Sequence, residues 1–427
     1  MKPSRFNLYL EHPRGIALFN TLSGKAGIFS NNAANCIRRG SLRGLGLTLL
    51  RQAMAIGALV SEPTDEHETY RSYYRSMSED TRRLALVVSL TYACNLRCPY
   101  CFEDDLHQHP GRIAGERLER LLSAIGRRCR SQGTAALSLM LFGGEPLLLT
   151  EACVDLLKGV SSFCDAQGIA FSGSMSSNGT LLNAQRIEQL APYLNTVQVT
   201  LDGPRDLHNA IRVPANGNGT YDAVIQAVHL LRENGLAVQL RIQMGAENKA
   251  RLPELAWDLK REGFLDDPAI RCEVALLRRF SRWRCNFSTA PVELGDELER
   301  ELLGMAPDLL KKPTPAVQIL PCVVSGNVLC IDPDLDLYKC ITQLGQKTFS
   351  VGRIDERGEF VFDPAYNDFM ARDPLTFEEC AECAYLPLCG GGCPVAAYQA
   401  SGSWHHPACH QKEVLRSRVD NAMEGLG

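Results

Sequence analysis

The stretch Leu90-Thr-Tyr-Ala-Cys94-Asn-Leu-Arg-Cys98-Pro-Tyr100-Cys101-Phe102-Glu103 follows a strand-like run and organises the interpretation of the whole chain. Its three cysteines stand at C-x3-C-x2-C. Thiolates suit iron–sulfur clusters, and a [4Fe–4S] cube normally takes four of them. A compact set of three therefore favours a cluster with one iron left open for a substrate or cofactor. Zinc and three unrelated buried thiols are the alternatives, although the x3 gap is not typical of a zinc knuckle.

The composition is that of an ordinary globular protein with many thiols. A chain of 427 residues, 45% hydrophobic and 22% charged, is long enough for two or three domains with buried cores. The net charge of −4 gives no reason to expect nucleic acid or a membrane surface as partner. We expect no secretion signal and no membrane span. Seventeen cysteines, an odd number, favour metal sites in a reducing cytoplasm over a disulfide framework.

Strand-like and helical patterns alternate along the middle of the chain. The six strand candidates are Leu84–Leu90, Leu137–Leu141, Ile169–Met175, Thr196–Leu201, Leu236–Gln243 and Ile270–Leu277. This alternation predicts parallel strands with helical crossovers, whose carboxyl ends collect functional groups. Nearer the N-terminus, Phe6–Leu10 and Gly15–Asn20 predict two short strands around a turn, and the polar stretch Ser61–Arg83 indicates a connector.

Three polar motifs follow three of these strands. In Phe142-Gly-Gly-Glu-Pro146 the glycines allow a close approach to a ligand, and the Glu145 carboxylate suits an ammonium group. Ser176-Ser-Asn-Gly-Thr180 offers hydroxyl and amide groups, and Thr200-Leu-Asp202-Gly-Pro204 is followed by His208 and Arg212. Each motif is also compatible with ordinary turn chemistry, and Asp202 and His208 with local ordering of their loop.

A second group of cysteines occupies the C-terminal region. Cys322, Cys330 and Cys340 precede Cys380-x2-Cys383-x5-Cys389-x3-Cys393, and Cys409 follows. Read alone, the paired spacings are also compatible with zinc sites. The remaining cysteines have no metal-ligand spacing and are expected to be small core residues; they are Cys36, Cys129, Cys153, Cys164, Cys272 and Cys285.

The first cysteine motif with Asn95 and Tyr100, the order of the three loop motifs and the C-terminal spacing together resemble radical S-adenosylmethionine enzymes that carry a C-terminal SPASM domain. The resemblance implies an α/β fold built on a partial (β/α)6 barrel. It also implies four segments: a small N-terminal α+β, winged-helix-like module at 1–80, the barrel at 81–285, a bridging helix and linker at 286–321, and the SPASM domain at 322–427.

The same resemblance implies S-adenosylmethionine and three [4Fe–4S] clusters as cofactors. Cys94, Cys98 and Cys101 would hold the catalytic cluster, at which S-adenosylmethionine is reductively cleaved to a 5′-deoxyadenosyl radical. The implied cofactor contacts are Tyr100, Phe102, Gly143, Gly144, Glu145, Ser176, Asn178, Asp202, Arg212 and Gln243. A first auxiliary cluster would take Cys322, Cys340 and Cys393, and a second Cys380, Cys383, Cys389 and Cys409. Cys330, in the same loop, is the natural fourth ligand of the first cluster; if it is not a ligand, that cluster also has an open iron. Leu335 departs from the pattern, which usually has glycine there.

The favoured function is maturation of a ribosomally synthesised precursor peptide. Its leader would bind the N-terminal module by strand addition, and a C–S or C–C cross-link is the favoured product. The expected electron donor is a flavodoxin or ferredoxin. The enzymatic alternative is an anaerobic sulfatase maturase, a class that generally has Asp directly after the second SPASM cysteine, where this chain has Ile341. The alternative from another class is a non-catalytic iron–sulfur or zinc scaffold.

Overall fold

A computed structural model describes residues 1–214, 217–244, 248–276 and 324–409, together with residues 415, 416, 419, 420 and 423. The predicted bridging segment 286–321, Cys285 and Cys322 lie outside these residues. Within the described part, no helix combines the length and apolar character needed to cross a membrane.

The first 80 residues form a small module of strands and helices. Its strands are β1 Lys2–Pro3, β2 Asn7–His12, β3 Gly15–Asn20, β4 Lys25–Phe29 and β5 Leu59–Val60, and its helices are α1 Asn31–Arg38, α2 Leu47–Ala55 and α3 Glu66–Ser78. Strands β2, β3 and β4 form an antiparallel sheet in that order, which confirms the hairpin and extends it by one strand. Strand β1 pairs with β5.

The stretch Ser61–Arg83, which was expected to be a connector, contains the helix α3. The Asp65 carboxylate caps it by accepting from the backbone N–H groups of His67 and Glu68. Only Glu66, Tyr70 and Tyr74 of its 13 residues are buried. Because so few apolar residues mark the buried face, the sequence pattern appeared merely polar, although the capping residue was a usable signal.

The middle of the chain is the predicted run of strands and helices. Its strands are β6 Arg83–Ser89, β7 Ala136–Phe142, β8 Ala170–Ser177, β9 Thr196–Leu201, β10 Ala237–Met244 and β11 Ile270–Leu276. Its helices are α4 Glu116–Gln132, α5 Thr150–Gln167, α6 Ala184–Leu190, α7 Arg205–Ile211, α8 Tyr221–Glu233 and α9 Leu252–Arg261. The six strands lie side by side in chain order and all pair in parallel, so the fold is the α/β fold that was predicted.

The C-terminal region continues the same sheet. Its strands are β12 Val328–Ile331, β13 Asp336–Tyr338, β14 Gly352–Ile354 and β15 Phe360–Phe362, and its helices are α10 Pro364–Met370, α11 Glu378–Ala381, α12 Leu386–Cys389 and α13 Pro394–Ser401. Strand β12 pairs in parallel with β6, and β13 to β15 follow as antiparallel strands. The ten-stranded sheet therefore joins the barrel to the C-terminal region through hydrogen bonds, not through a linker alone.

One main core lies between the sheet and its helices. It contains the inward residues of β6 to β10 and the buried faces of α4, α5, α8 and α9. Cys129, Cys153 and Cys164 are buried in this core, as expected for cysteines without metal spacing. The parallel arrangement places the loops after β6, β7, β8 and β9 at one edge of the sheet, where the polar motifs lie.

Candidate functional site

The loop that carries Cys94, Cys98 and Cys101 leaves the end of β6 and is held by three neighbouring loops. From the loop after β7, the Gly144 and Glu145 N–H groups donate to the carbonyls of Thr91 (3.0 Å) and Ala93 (2.8 Å). From the segment after β9, Val213 O accepts from Arg97 N at 2.9 Å, and Pro214 forms a bridge with Leu96. The cysteine loop is therefore fixed by backbone hydrogen bonds on both sides.

The glycines of the Gly143-Gly144 pair are required by the cysteine loop itself. A Cβ atom on Gly143, whose φ is +120°, would lie 2.3 Å from Thr91 O, and one on Gly144 would lie 2.2 Å from Ala93 O. The sequence interpretation assigned this close approach to a ligand. In the structure the two glycines lie against the backbone of the cysteine loop, which follows the adjacent strand β6, and their contact with a ligand stays a prediction.

The Glu145 side chain is completely buried, and its carboxylate is hydrogen-bonded to donors of the protein itself. Its carboxylate accepts from Leu147 N (3.1 Å), Asn178 N (2.8 Å) and the Ser177 hydroxyl (3.0 Å). Burial raises the pKa of this carboxyl, and these donors act in the opposite direction. The observed role of Glu145 is to tie the loop after β7 to the loop after β8, and its pairing with a ligand ammonium stays a prediction.

The loop after β8 contacts the first cysteine directly. The Asn178 side-chain amide donates to Asn95 Oδ1 at 2.8 Å and lies 3.8 Å from Cys94 Sγ. Asn95 in turn donates to the Thr180 hydroxyl at 2.9 Å. Ser176 accepts from the Gln198 amide of β9 at 3.0 Å, so it orders the neighbouring strand. Sequence reasoning selected Asn178 and Ser176 but did not select Thr180 or Gln198.

A buried cluster of polar groups lies between Tyr100 of the cysteine loop and the end of β9. The Tyr100 hydroxyl donates to Asp202 Oδ2 and accepts from Arg212 Nη1 at 2.7 Å. Arg212 Nη1 also lies 3.6 Å from Asp202 Oδ1, and both side chains are almost fully buried. Behind them, the Asp202 backbone N–H donates to His208 Nδ1 at 3.2 Å. The structure thus brings together Tyr100, Asp202 and Arg212, which are far apart in sequence.

Several atoms of this cluster have no hydrogen-bond partner among the described residues: Asp202 Oδ1, His208 Nε2 and Arg212 Nε. Leaving such buried polar atoms unpaired is costly, about 1–3 kcal/mol each. Beside three cysteines, these atoms fit a polar ligand with both donors and acceptors. The residues present therefore fit a cluster-bound amino acid derivative such as S-adenosylmethionine.

The charges in this cluster depend on each other. Burial raises the pKa of Asp202, and Arg212 opposes that effect. Burial alone would lower the pKa of the Arg212 guanidinium, but Asp202 and Tyr100 more than offset it, and the pKa lies above its usual range. Burial, helped by Arg212, lowers the pKa of His208 to about 3, so this imidazole is neutral in the folded protein.

The three thiols are shielded and protonated when no metal is bound. Burial raises the pKa of Cys94 to about 11 and that of Cys101 to about 12, and it also raises the pKa of Cys98. Metal binding here must therefore release protons. His107, which sequence reasoning did not select, places Nε2 4.0 Å from Cys101 Sγ.

The two remaining predicted contacts lie at the border of the site. Phe102 stacks on Phe142, with ring centroids 6.4 Å apart. Gln243 lies in β10, and its carbonyl accepts from the Asn248 side-chain amide at 2.9 Å. The same amide donates to Asp202 O at 2.5 Å, so Asn248 joins the ends of β9 and β10. Asn248 was not selected, because it belongs to no recognised motif.

A second cysteine site lies in the C-terminal region. Cys380, Cys383, Cys389 and Cys409 all line one cavity of about 80 Å³. Burial raises the pKa of Cys380 to about 12 and that of Cys389 to about 11, and the neighbouring thiols add to both increases. Four thiols around one cavity fit the donor set of a [4Fe–4S] cluster. These are the four residues expected to hold the second auxiliary cluster.

Three glycines and one arginine shape this cavity. Gly390, Gly391 and Gly392 all have positive φ, and a Cβ on Gly392 would lie 2.0 Å from Ala408 O. They bring the residue before Cys409 against the Cys389 loop. Arg372, which is buried, donates to four backbone carbonyls at 2.7–2.9 Å, those of Gly390, Gly391, Trp404 and His406. The glycine run was visible in the sequence, whereas no pattern marked Arg372.

The cysteines expected to hold the first auxiliary cluster are described in part. Cys330 is buried in β12 and packs with Tyr92 and Tyr338, and the Cys340 sulfur lies 3.1 Å from the Thr342 hydroxyl. Cys393 packs beside α13. Because Cys322 lies outside the described residues, this ligand set stays a prediction.

The turn between Cys330 and Cys340 retains a glycine-like backbone. Leu335 has φ +67° and is the non-glycine residue with positive φ in the described chain. The Asp332 carboxylate stabilises this turn by accepting from the N–H groups of Asp334 and Asp336, both at 2.9 Å. The departure from glycine therefore changes the residue but not the turn.

Comparison with known proteins agrees with this geometry. Residues 88–256 match the model of the Radical SAM superfamily. A cysteine-type anaerobic sulfatase-maturating enzyme of Clostridium perfringens is 21% identical over 72% of this chain and 88% of its own length. The mycofactocin maturase MftC of Mycobacterium tuberculosis is 27% identical over 74% of this chain and 79% of its own length.

Among solved structures, Streptococcus suis SuiB bound to S-adenosylmethionine superposes with a TM-score of 0.55 at 16% identity, over 95% of this chain and 98% of SuiB. SuiB has also been solved with its precursor peptide SuiA. The fold, the three-cysteine loop with its buried polar cluster and these relatives lead to one assignment. The chain is a radical SAM enzyme, with its radical SAM domain at residues 88–256, and it is related both to peptide maturases and to sulfatase maturases.

Proposed function

We propose that this enzyme matures a ribosomally synthesised precursor peptide and captures the peptide's leader on its N-terminal module. The observation that carries the proposal is strand β4, an edge of the β2–β3–β4 sheet with no partner on its outer side among the described residues. An exposed edge strand can accept an extended peptide by backbone pairing. The match to SuiB over 95% of this chain, which includes the module, supports this use.

The helix beside this edge offers an apolar surface. Leu47 and Met54 lie one heptad apart on α2 and are 74% and 51% exposed. A Cβ on Gly27 of β4 would lie 3.2 Å from the Gln52 side chain of α2, so strand and helix are adjacent. Apolar leader side chains would pack on this helix while the leader backbone pairs with β4.

The charge of the module narrows the class of leader. Residues 25–61 contain five Lys or Arg and no Asp or Glu. Of these charges, Lys25 lies on β4, Arg38 on α1 and Arg51 on α2. A leader that combines apolar side chains with acidic ones is therefore the chemistry that this surface recognises.

The barrel residues supply the binding site for the reaction. S-adenosylmethionine, when bound at the cluster, supplies a 5′-deoxyadenosyl radical that abstracts hydrogen from a peptide residue. Arg212 Nε would be the donor for a carboxylate oxygen of the cofactor, and the carboxylate of Asp202 keeps the guanidinium oriented. Asn178 holds the cysteine loop in register through Asn95. The favoured product remains a C–S or C–C cross-link.

Sulfatase maturation is the second candidate, because enzymes of that activity are among the relatives. The Asp expected after the second SPASM cysteine is replaced by Ile341, which packs with Tyr92 and Cys330 in an apolar cluster. An apolar cluster at this position disfavours a base that acts there.

The reaction is tested on protein reconstituted without oxygen. With S-adenosylmethionine and dithionite, we expect 5′-deoxyadenosine, and none from a Cys94→Ala/Cys98→Ala/Cys101→Ala variant. Incubation with the peptide encoded beside the gene should then give a product lighter by the hydrogens removed. Conversion of a sulfatase-derived Cys or Ser peptide to formylglycine, with no change in the neighbouring peptide, would establish the second candidate instead. Equal 5′-deoxyadenosine from the triple variant would refute both.

Leader binding is tested by fluorescence anisotropy with the same labelled peptide. The double variant Leu47→Asp/Met54→Asp should weaken binding at least about tenfold, or about 1.4 kcal/mol. Trp257→Asp is the matched control, since Trp257 is also an exposed apolar residue, 63% exposed, but lies on α9 of the barrel. Equal binding by both variants and the parent protein would show that α2 does not contact the leader.

A further inference from the structure

The Tyr70 side chain of α3 is an unexplained polar group in the N-terminal module. Its relative exposure is 0%, and its hydroxyl has no hydrogen-bond partner among the described residues. An unpaired buried hydroxyl costs about 1–3 kcal/mol, which phenylalanine at the same position would avoid. The described residues therefore leave this buried hydroxyl without an acceptor.

The neighbours of Tyr70 indicate where an acceptor would lie. Its ring lies 6.3 Å from that of Phe6 and 5.9 Å from that of Tyr74. The same apolar group contains Cys380, with Phe377 and Leu386 of the C-terminal region. Burial raises the pKa of the Tyr70 phenol, and the charges of Tyr74, Cys389 and Cys380 add to the increase. Tyr70 therefore packs in the same apolar group as Cys380, one of the four thiols that line the C-terminal cavity.

The N-terminal module is joined to this cavity by polar contacts as well. His67 Nε2 lies 2.8 Å from Ala381 O, Arg5 forms an ion pair with Glu382 at 3.0 Å, and Arg71 lies 3.4 Å from Asp373. These contacts fix α3 against the α11 segment, which carries Cys380. Tyr70 is thus held in one place relative to the thiols.

We propose that the Tyr70 hydroxyl donates a hydrogen bond to the Cys380 thiolate of a cluster held at the C-terminal cavity, and that it thereby positions this cluster and raises its reduction potential. The inference rests on the proposed assignment of a [4Fe–4S] cluster to these four cysteines.

The direction of the effect follows from electrostatics. Hydrogen bonds to cluster sulfurs are one of the factors that set the reduction potential. A donor stabilises the reduced state more than the oxidised state, because the reduced cluster carries more negative charge. The N-terminal module, which we propose binds the leader, therefore also contributes a donor to this cluster, because α3 belongs to that module.

The test is a reductive titration, followed by electron paramagnetic resonance, of the full chain reconstituted without oxygen. Tyr70→Phe should shift the potential of one cluster downward and change its signal, with the other clusters unaffected. Tyr73→Phe is the matched control, because it removes a hydroxyl from the same helix at a partly exposed position. The affected cluster is identified by its absence in Cys380→Ala/Cys383→Ala protein.

The outcomes separate the proposals. Potentials and spectra of Tyr70→Phe that equal those of the parent and of Tyr73→Phe would overturn the role of Tyr70. Iron loss by Tyr70→Phe that Tyr73→Phe does not share would support it, since phenylalanine preserves the packing and removes only the donor. An iron content that Cys380→Ala/Cys383→Ala does not lower would overturn the inference at its base. None of these readouts uses the peptide, so failure of the peptide-maturase function would not mimic them.

Discussion

Two buried arginines, one beside each described cysteine site, illustrate how differently the two sites are built. Arg372 gives its donors to four backbone carbonyls of the C-terminal cysteine loops. Arg212 pairs with Asp202 and Tyr100, and its Nε has no hydrogen-bond partner in the described chain. Both side chains are at least nine-tenths buried. The same residue type therefore completes the scaffold at one site and leaves a donor for a ligand at the other.

The residues around the two cysteine sites also differ. The three cysteines of the barrel site are held by hydrogen bonds from neighbouring loops of the radical SAM domain, and Tyr92 of the same loop packs against the C-terminal region. The C-terminal site is closed by aromatic side chains from α3, more than 300 residues away in sequence (Tyr70 against Cys380). Among the described residues, the buried atoms without a hydrogen-bond partner include Asp202 Oδ1, His208 Nε2 and Arg212 Nε at the barrel site and the Tyr70 hydroxyl beside the C-terminal site.

The largest expected effect is that of Arg372→Lys. A lysine ammonium cannot reach all four carbonyls, so several buried acceptors lose a charged donor, and we expect the free energy of unfolding to fall by about 3 kcal/mol or more. The measurement is thermal unfolding together with iron content. Arg353→Lys, at an exposed position of β14, is the control and should change neither. A variant as stable as the control would show that the carbonyl contacts are dispensable.

The next expected effect is a pH dependence of protein stability that comes from His208 at the barrel site. His208 has a pKa of about 3 in the folded protein and about 6.5 when unfolded, so the unfolded state binds more protons between these values. The stability from keeping this imidazole neutral is complete above pH ~6.5 and is lost as the pH falls, by up to about 3 kcal/mol at pH ~4. Urea unfolding of His208→Asn, which retains an acceptor near Nδ1, should show a smaller loss than the parent protein. Parallel curves for the two proteins would contradict the assignment.

Arg212→Lys should affect ligand binding more than stability. Lysine keeps a positive charge for Asp202 but loses the planar donor at Nε, so S-adenosylmethionine binding should weaken at least about tenfold, or about 1.4 kcal/mol. Equilibrium dialysis on reconstituted protein measures it. Arg205→Lys, exposed at the start of α7, the helix that ends directly before Arg212, serves as control. Arg212→Lys that unfolds as readily as Arg372→Lys and binds the cofactor normally would reverse the contrast between the two arginines.

The smallest effect concerns the turn between β12 and β13. Leu335 pays a left-handed backbone cost of about 1–2 kcal/mol, which glycine avoids and alanine retains. Both substitutions lose the packing of a buried leucine, but Leu335→Gly should be more stable than Leu335→Ala by up to about 1 kcal/mol. At Leu337, buried in β13 without positive φ, the order should be reversed. The same order at both positions would exclude backbone strain at Leu335.

Much of the fold was predictable, because its signals are local. All six barrel strands were predicted, each end within a residue or two of its observed position, since apolar runs bounded by turn residues mark buried parallel strands. Helix α3 was missed because its buried face has few residues. The continuation of the barrel sheet into β12 was also missed, since strand pairing between distant segments leaves no local trace.

The sequence by itself determined the chemistry, because thiol spacing, the order of strand-end motifs and the alternation of elements are properties of the chain alone. Only the tertiary structure decided how each group is used. In the structure the Gly143-Gly144 pair lies against the cysteine loop, and Glu145 accepts hydrogen bonds from the protein itself. Arg212 Nε has no hydrogen-bond partner among the described residues, and Tyr70 packs with Cys380. Burial and pairing set the free energy of every polar group, and both depend on neighbours that the order of residues does not specify.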